Sequence, residues 1–451
     1  MSKYSGKTLY RLSAAQSLIR WAEMFSIEPR KTRENNILGM YVLVERDADA
    51  DALERAFNHL IAHNDSLRLR AVKTSHGIRQ YIADVEYEHL NRLTVRDMAE
   101  FDDLTTRLSE FDEWGIGKYD CPLYCAKLVR IEENNGCALV MRFYHSLIDG
   151  YSVKLIFERI KAAYTEVAAG DEPSAPAKEY SILRHFETQK AYSESENHND
   201  DRKFWCRAYN HQRKYSFPAG YRAHKGDCAA LPIRIGGELY GKLSALAKEC
   251  RCSTQSLMMT IAAVTTYVVS GKENFCIYSM THGRRDAVLK KTIGCMMNTV
   301  PVFYDIGVLE NEPMHDVIRK AYAEALKCLT HGRLPMGEQV PLSYKEPIKH
   351  LFNFNHGWML FSTMEYGAMK NGDNIRTSML PVVNLPHQMY VAMFENSDGI
   401  MLRVNYQTRK FTEKKMKELA DVYIKVCEMI ADDTDVTPAA IADRLGGKRR
   451  K

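Results

Sequence analysis

Phe143-Tyr144-His145-Ser146-Leu147-Ile148-Asp149-Gly150 is the stretch on which the fold and function of this chain turn. Before it, residues 137–143 (CALVMRF) make an apolar run of strand length. After it, residues 152–168 place Val153, Ile156, Phe157, Ile160, Tyr164 and Val167 on one helical face. The order is strand, short turn, helix, with a histidine at the strand end and an aspartate four residues later. These residue types suit acid–base chemistry. Imidazole titrates near neutrality and can take a proton from an attacking amine or hydroxyl. A carboxylate one turn away can fix the local geometry through an ion pair without carrying a proton itself. Gly150 permits a tight turn and close approach of a substrate to the backbone. The pattern is sparse, however, and a histidine that merely closes a strand by hydrogen bonding fits it too.

On either side the chain alternates strands and helices. Residues 37–44 (ILGMYVLV) read as a strand. Residues 51–62 read as a helix, with Leu53, Ala56, Phe57, Leu60 and Ile61 in a stripe and aspartates suited to an N-cap. Residues 170–178 (GDEPSAPAK) have the composition of a connector, and the break between two halves is placed there. The second half predicts helices over 254–269, 313–330 and 412–431 and strands over 275–281 and 300–306. Residues 388–395 and 400–406 predict a hairpin around Asn396-Ser397-Asp398-Gly399. Residues 193–202 fit a surface helix or a loop equally well. No fixed-period repeat is evident, which excludes a solenoid.

Composition bounds the function. With 451 residues, two core-forming units are expected, and 45% hydrophobic content excludes disorder as the dominant state. The formal charge of +5 suits an anionic partner but is no nucleic-acid signature. Eleven cysteines are scattered without a C-x-x-C pair, so neither a zinc site nor a disulfide framework is expected. The N-terminus lacks the apolar run of a secretory leader, and the longest apolar stretch, 256–269, is too short for a membrane span. A cytoplasmic, monomeric protein without a membrane span is the expectation.

The motif resembles the H-H-x-x-x-D-G signature of the condensation-domain superfamily, which includes nonribosomal peptide synthetase condensation domains and chloramphenicol-acetyltransferase-like acyltransferases. Further pieces fall in the same order. Leu12-Ser13-Ala14-Ala15-Gln16 resembles the family's L-S-x-A-Q segment, and Asp65-Ser66-Leu67-Arg68 its R-H-E-x-L-R block. Residues 253–306 are similar to the stretch ending in G-x-x-x-N-T-x-P, here Gly294 to Pro301, preceded by Gly283-Arg284. Val404-Asn405-Tyr406 and Phe411 resemble the closing strand and helix. The resemblance spans nearly the whole chain. The departures are Tyr144 in place of the first motif histidine, and His63 in place of the first arginine of the second block. No D-F-G-W-G block of the plant-type branch is present.

The resemblance implies an α/β (α+β) fold of two chloramphenicol-acetyltransferase-like lobes, each a mixed sheet with covering helices, forming a V around a central tunnel. The lobes are expected at 1–172 and 173–445, with a disordered basic tail at 446–451. No adenylation or carrier domain flanks the motif, so a freestanding member is expected. His145, Asp149 and Gly150 would be catalytic. Tyr144, Ser146, His282, Arg284, Asn298 and Asn353 (with Asn355) are substrate-binding candidates, although Asn298 could equally cap a turn and His282 merely end a strand. Arg284 or Arg68 would pair with Asp149. The implied reaction passes an acyl group from a phosphopantetheine thioester, on an acyl or peptidyl carrier protein, to a small-molecule amine or alcohol. No tightly bound cofactor or metal is implied. Acyl-CoA-dependent O-acylation is the alternative within enzymes, and a non-catalytic recruitment module the alternative outside them.

Overall fold

The computed structural model describes residues 4, 6–24, 36–108, 116, 118–175, 180–211, 228–343, 359–363, 374–380, 389–408 and 410–447. Two compact units emerge. The first comprises residues 1–195, 282–297 and 366–383, and the second 196–281, 298–365 and 384–451.

In the first unit, β1 (Tyr10–Arg11), β4 (Gly77–Ile82) and β3 (Leu69–Thr74) form a three-stranded antiparallel sheet in the order β1-β4-β3. The larger sheet runs β12 (Ile375–Met379), β2 (Ile37–Val44), β7 (Gly136–Tyr144), β6 (Tyr124–Ile131), β5 (Asn91–Val95). Only β5 and β6 pair in parallel. All nine residues of β7 are buried, because both faces of the sheet are covered. Leu139, Met141 and Phe143 pack with Phe57 and Leu60 of α2 (Ala50–Ala62) and with Ile156 and Ile160 of α4 (Gly150–Ala168). Ala138 and Val140 pack on the other face with Phe101, Leu104 and Leu108 of α3 (Met98–Leu108). The predicted continuous apolar run is thus a central strand. Asp49 caps α2 by accepting from the Ala52 N–H at 2.9 Å, as the aspartates before the stripe suggested. The unit also holds α1 (Ala14–Met24) and α5 (Leu183–Ser193).

In the second unit a six-stranded mixed sheet runs β10 (Asn298–Asp305), β9 (Asn274–Thr281), β11 (Leu360–Thr363), β13 (Met389–Asn396), β14 (Gly399–Gln407), β8 (Cys228–Gly236). β13 and β14 form the predicted hairpin, closing at Asn396 opposite Gly399. Its helices are α6 (Glu196–His211), α7 (Gly237–Glu249), α8 (Thr254–Ser270), α9 (Met314–Thr330), α10 (Met336–Ser343), α11 (Glu413–Asp432) and α12 (Pro438–Arg444). The apolar stretch from 256 is the largely buried α8. No single helix among the described residues is long and apolar enough to cross a membrane.

The units do not divide at 172/173. α5 lies beyond the connector yet packs with the first unit, where Asp65 accepts from the Ile182 N–H at 3.0 Å and from the Ser181 hydroxyl. The segment between β9 and β10, and strand β12, also belong to the first unit. Composition marks a surface connector, whereas these memberships depend on pairing between residues hundreds of positions apart. Residues 448–451 of the basic tail lie outside the described residues.

Candidate active site

The motif loop starts where β7 ends. Its backbone is held at three points. The His145 N–H donates to the Asn36 carbonyl at 2.7 Å, the Leu147 N–H to the Tyr144 carbonyl at 2.8 Å, and Gln16 Nε2 to the Ser146 carbonyl at 2.9 Å. Asp149 then caps α4, accepting from the Ser152 N–H at 3.0 Å.

Asp149 is fully buried and pairs with Arg284, also fully buried, in a two-pronged contact. Nη1 reaches Oδ2 at 2.8 Å and Nη2 reaches Oδ1 at 3.0 Å. The Met296 N–H donates to Oδ2 at 2.9 Å, and the Ser152 hydroxyl lies 2.9 Å from Oδ1. Burial pushes the Asp149 carboxyl up, but the Arg284 charge and the Arg284, Met296 and Ser152 hydrogen bonds outweigh it and hold the pKa below the usual carboxylate value. Arg284 also donates to the carbonyls of His282 (2.9 Å), Gly294 (2.9 Å) and Thr292 (3.3 Å). Its guanidinium carbon lies 4.6 Å from the Tyr151 ring centre. The cation that sequence left open between Arg284 and Arg68 is Arg284; Arg68 donates instead to the Ala83 carbonyl at 2.7 Å.

The turn presenting Arg284 needs a glycine. Gly283 has φ +68°, and a Cβ there would stand 1.9 Å from the Met296 carbonyl oxygen. His282 Nδ1 accepts from the Arg284 N–H at 3.0 Å, and its ring lies 4.9 Å from that of Tyr151.

His145 differs from its neighbours. Its side chain is partly buried, and Nδ1 has no hydrogen-bond partner among the described residues. Burial lowers its pKa from 6.5, offset in part by its own carbonyl, the Asp149 charge and the Ile148 carbonyl. The imidazole is therefore neutral at pH 7 and able to accept a proton. His185, on α5, was not anticipated. Burial and the nearby Arg284 charge lower its pKa to about 4, and its Nε2 lacks a partner among the described residues. Nothing local in the sequence around residue 185 signals this placement.

The structure places the remaining substrate-contact candidates as follows. Tyr144 is fully buried, with the Arg20 guanidinium 4.4 Å from its ring centre. Ser146 is buried with its carbonyl held by Gln16. Arg284 is enclosed and serves the ion pair. Asn298 ties backbone within the second unit. Its Nδ2 donates to the Gly332 and Leu334 carbonyls, both at 2.9 Å, and its Oδ1 accepts from the Met336 N–H at 3.0 Å. Asn353 and Asn355 lie outside the described residues. Among those described, no group of three His, Cys, Asp or Glu side chains could hold a metal ion.

The family model for the condensation domain matches residues 7–441. The chain belongs to the condensation-domain family. Condensation domains carry out acyl or peptidyl transfer in nonribosomal peptide synthesis. Among its relatives, surfactin synthase subunit 1 of Bacillus subtilis (strain 168) is 25% identical over 73% of this chain, and bacitracin synthase 1 of Bacillus licheniformis 25% identical over 89%. This condensation domain spans 9% and 8% of those two proteins, respectively. The first condensation domain of the calcium-dependent antibiotic synthetase, in complex with a substrate analogue, superposes with a TM-score of 0.78 at 15% identity, covering 97% of this chain and 99% of its own. An arginine-to-alanine variant of the starter condensation domain of rhizomide synthetase, in complex with C8-CoA, gives 0.78 at 18% identity, covering 96% and 97%. The two-lobed chloramphenicol-acetyltransferase-like fold is therefore that of this chain.

Proposed function

We propose that this condensation domain transfers an acyl group from a phosphopantetheine thioester, presented by a carrier protein, to an amine or hydroxyl acceptor. The observation that supports this reading best is His145: an imidazole whose pKa is lowered by burial, so that it is neutral at pH 7, on a loop whose backbone is held in place. The acceptor nitrogen or oxygen adds to the thioester carbonyl carbon while His145 takes its proton. Backbone N–H donors beside Gly150 would hold the resulting oxyanion. As it collapses, the carbon–sulfur bond breaks and the proton passes from imidazolium to the departing thiolate. The products are an amide or ester and a free thiol. Asp149 and Arg284 position this loop without exchanging a proton.

The test supplies one acyl group on holo-carrier protein and on coenzyme A at equal concentration, with a panel of amines and alcohols, and follows products by mass spectrometry. His145→Ala should remain folded and turn over about 10²–10⁴-fold more slowly. Wild-type turnover by that variant refutes the base assignment. A second reading, acyl-CoA-dependent transfer, draws on the C8-CoA held by the similar rhizomide synthetase variant. Equal or better kcat/KM with the coenzyme A thioester favours that reading over the carrier.

A further inference from the structure

Gln16 takes no part in the chemistry above, yet it lies against the motif loop. At the start of α1, Ser13 and Gln16 cap each other: the Gln16 N–H donates to Ser13 Oγ at 3.3 Å and the Ser13 N–H to Gln16 Oε1 at 2.8 Å. The Gln16 amide also faces that of Gln80 on β4 in a reciprocal pair. Gln16 Nε2 donates to Gln80 Oε1 at 3.0 Å, and Gln80 Nε2 to Gln16 Oε1 at 2.8 Å. The remaining N–H of Gln80 reaches the Arg11 carbonyl at 3.0 Å, and that of Gln16 the Ser146 carbonyl at 2.9 Å. Both glutamines are buried. Their orientations are forced by the backbone: the atom facing Ser13 N–H must be oxygen, and those facing the Arg11 and Ser146 carbonyls must be nitrogen. Every amide hydrogen of the pair is used.

Ser146 directly follows His145. With the His145 N–H on the Asn36 carbonyl and the Ser146 carbonyl on Gln16, both ends of the His145–Ser146 backbone are fixed. We propose that Gln16, braced by Gln80, is a positioning residue that sets the aim of the His145 ring. The inference rests on the reading of His145 as the proton acceptor. Its cause is local: a buried carbonyl left without a donor shifts to find one, and the adjacent ring moves with it.

The test compares Gln16→Met and Gln80→Met with Gln339→Met. Gln339 is a fully buried glutamine of α10 that donates to the Leu334 carbonyl and accepts from the Tyr209 hydroxyl. Gln16→Met should lower kcat by about 10–100-fold, with KM for the thioester within about threefold. Gln80→Met should show a smaller loss of the same kind, and Gln339→Met should keep the wild-type kcat. In histidine-labelled protein, the His145 ring nitrogen resonances should move in the first two variants and stay in the third. Wild-type kcat with unmoved His145 resonances in Gln16→Met overturns the proposal, and Gln80→Met decides in the same way where Gln16→Met does not fold. His145→Ala is measured alongside. Wild-type turnover there refutes the base assignment, while the resonances still report whether Gln16 positions the ring.

Discussion

Asp149→Asn is the sharpest perturbation of this site, because it keeps shape and removes charge. In the wild type, Oδ2 receives the Arg284 Nη1 and Met296 N–H groups, and Oδ1 receives Arg284 Nη2 and the Ser152 N–H. Whichever way the asparagine amide turns, its NH2 group faces two N–H donors. The Arg284 guanidinium is left fully enclosed without a counter-charge. Removing one member of a buried pair costs about 3–5 kcal/mol. At about 2–4 °C per kcal/mol for a unit of 150–250 residues, the melting temperature should fall on the order of 6–20 °C. Calorimetry at pH 7.5 reads this directly. Asp149→Asn combined with Arg284→Met should lose less than the sum of the single losses, since neither charge then remains unpaired. The pH dependence has a definite sign. The folded carboxyl titrates below its unfolded value, so its stabilisation is fully present above about pH 3.9 and lost as pH falls through the lower folded value. The gap between wild type and Asp149→Asn should therefore persist from neutral pH to about pH 4 and narrow below it. A melting temperature within 1–2 °C of wild type at pH 7.5, roughly the effect of a surface substitution, refutes the reasoning.

Three further outcomes follow from the geometry. Gly283→Ala forces a side chain into a φ of +68° and against the Met296 carbonyl, so calorimetry should show a loss of at least about 1–3 kcal/mol. Asn298→Ala strips donors from two carbonyls and an acceptor from one N–H; denaturant unfolding should show a loss of about 1–3 kcal/mol, with kcat retained once the variant is folded. His185 titrates near 4 when folded and near 6.5 when unfolded, so the unfolded state binds its proton first and wild-type stability declines as pH falls between those values. His185→Leu should flatten that decline, as measured by melting temperature from pH 7 to 4.5.

The legible parts of the fold are those whose signal is local. The strand over 137–143, the helix after it and the 388–406 hairpin each carry their pattern within one window, and each is present. Residues 193–202 could not be decided because the segment is almost wholly polar. In the structure α6 covers most of it, anchored by the fully buried Trp205, whose Nε1 donates to the His331 carbonyl at 2.9 Å. The division into units was misplaced for a different reason. β12 joins β2 with more than three hundred residues between them, in the register Met379 to Met40, and no periodicity in either strand names its partner. At the site, the motif pointed to His145 and Asp149, and the choice between Arg284 and Arg68 needed three dimensions.

That choice also separates the members of the motif by role. Proton transfer requires an atom with a free lone pair and a pKa near the working pH. Asp149 has neither: four N–H donors occupy its oxygens, and their attraction holds the carboxylate ionised. Tyr144 is sealed in the core, and Ser146 contributes a carbonyl to Gln16. His145 is the motif's imidazole, lowered in pKa by burial and therefore neutral at pH 7, which is why the proposed proton transfer falls to it. Tyr144, in the place of the family's first histidine, is a buried ring with the Arg20 guanidinium 4.4 Å from its centre. The aspartate four residues on is present because a helix must begin there and an enclosed arginine must be neutralised, and one carboxylate does both.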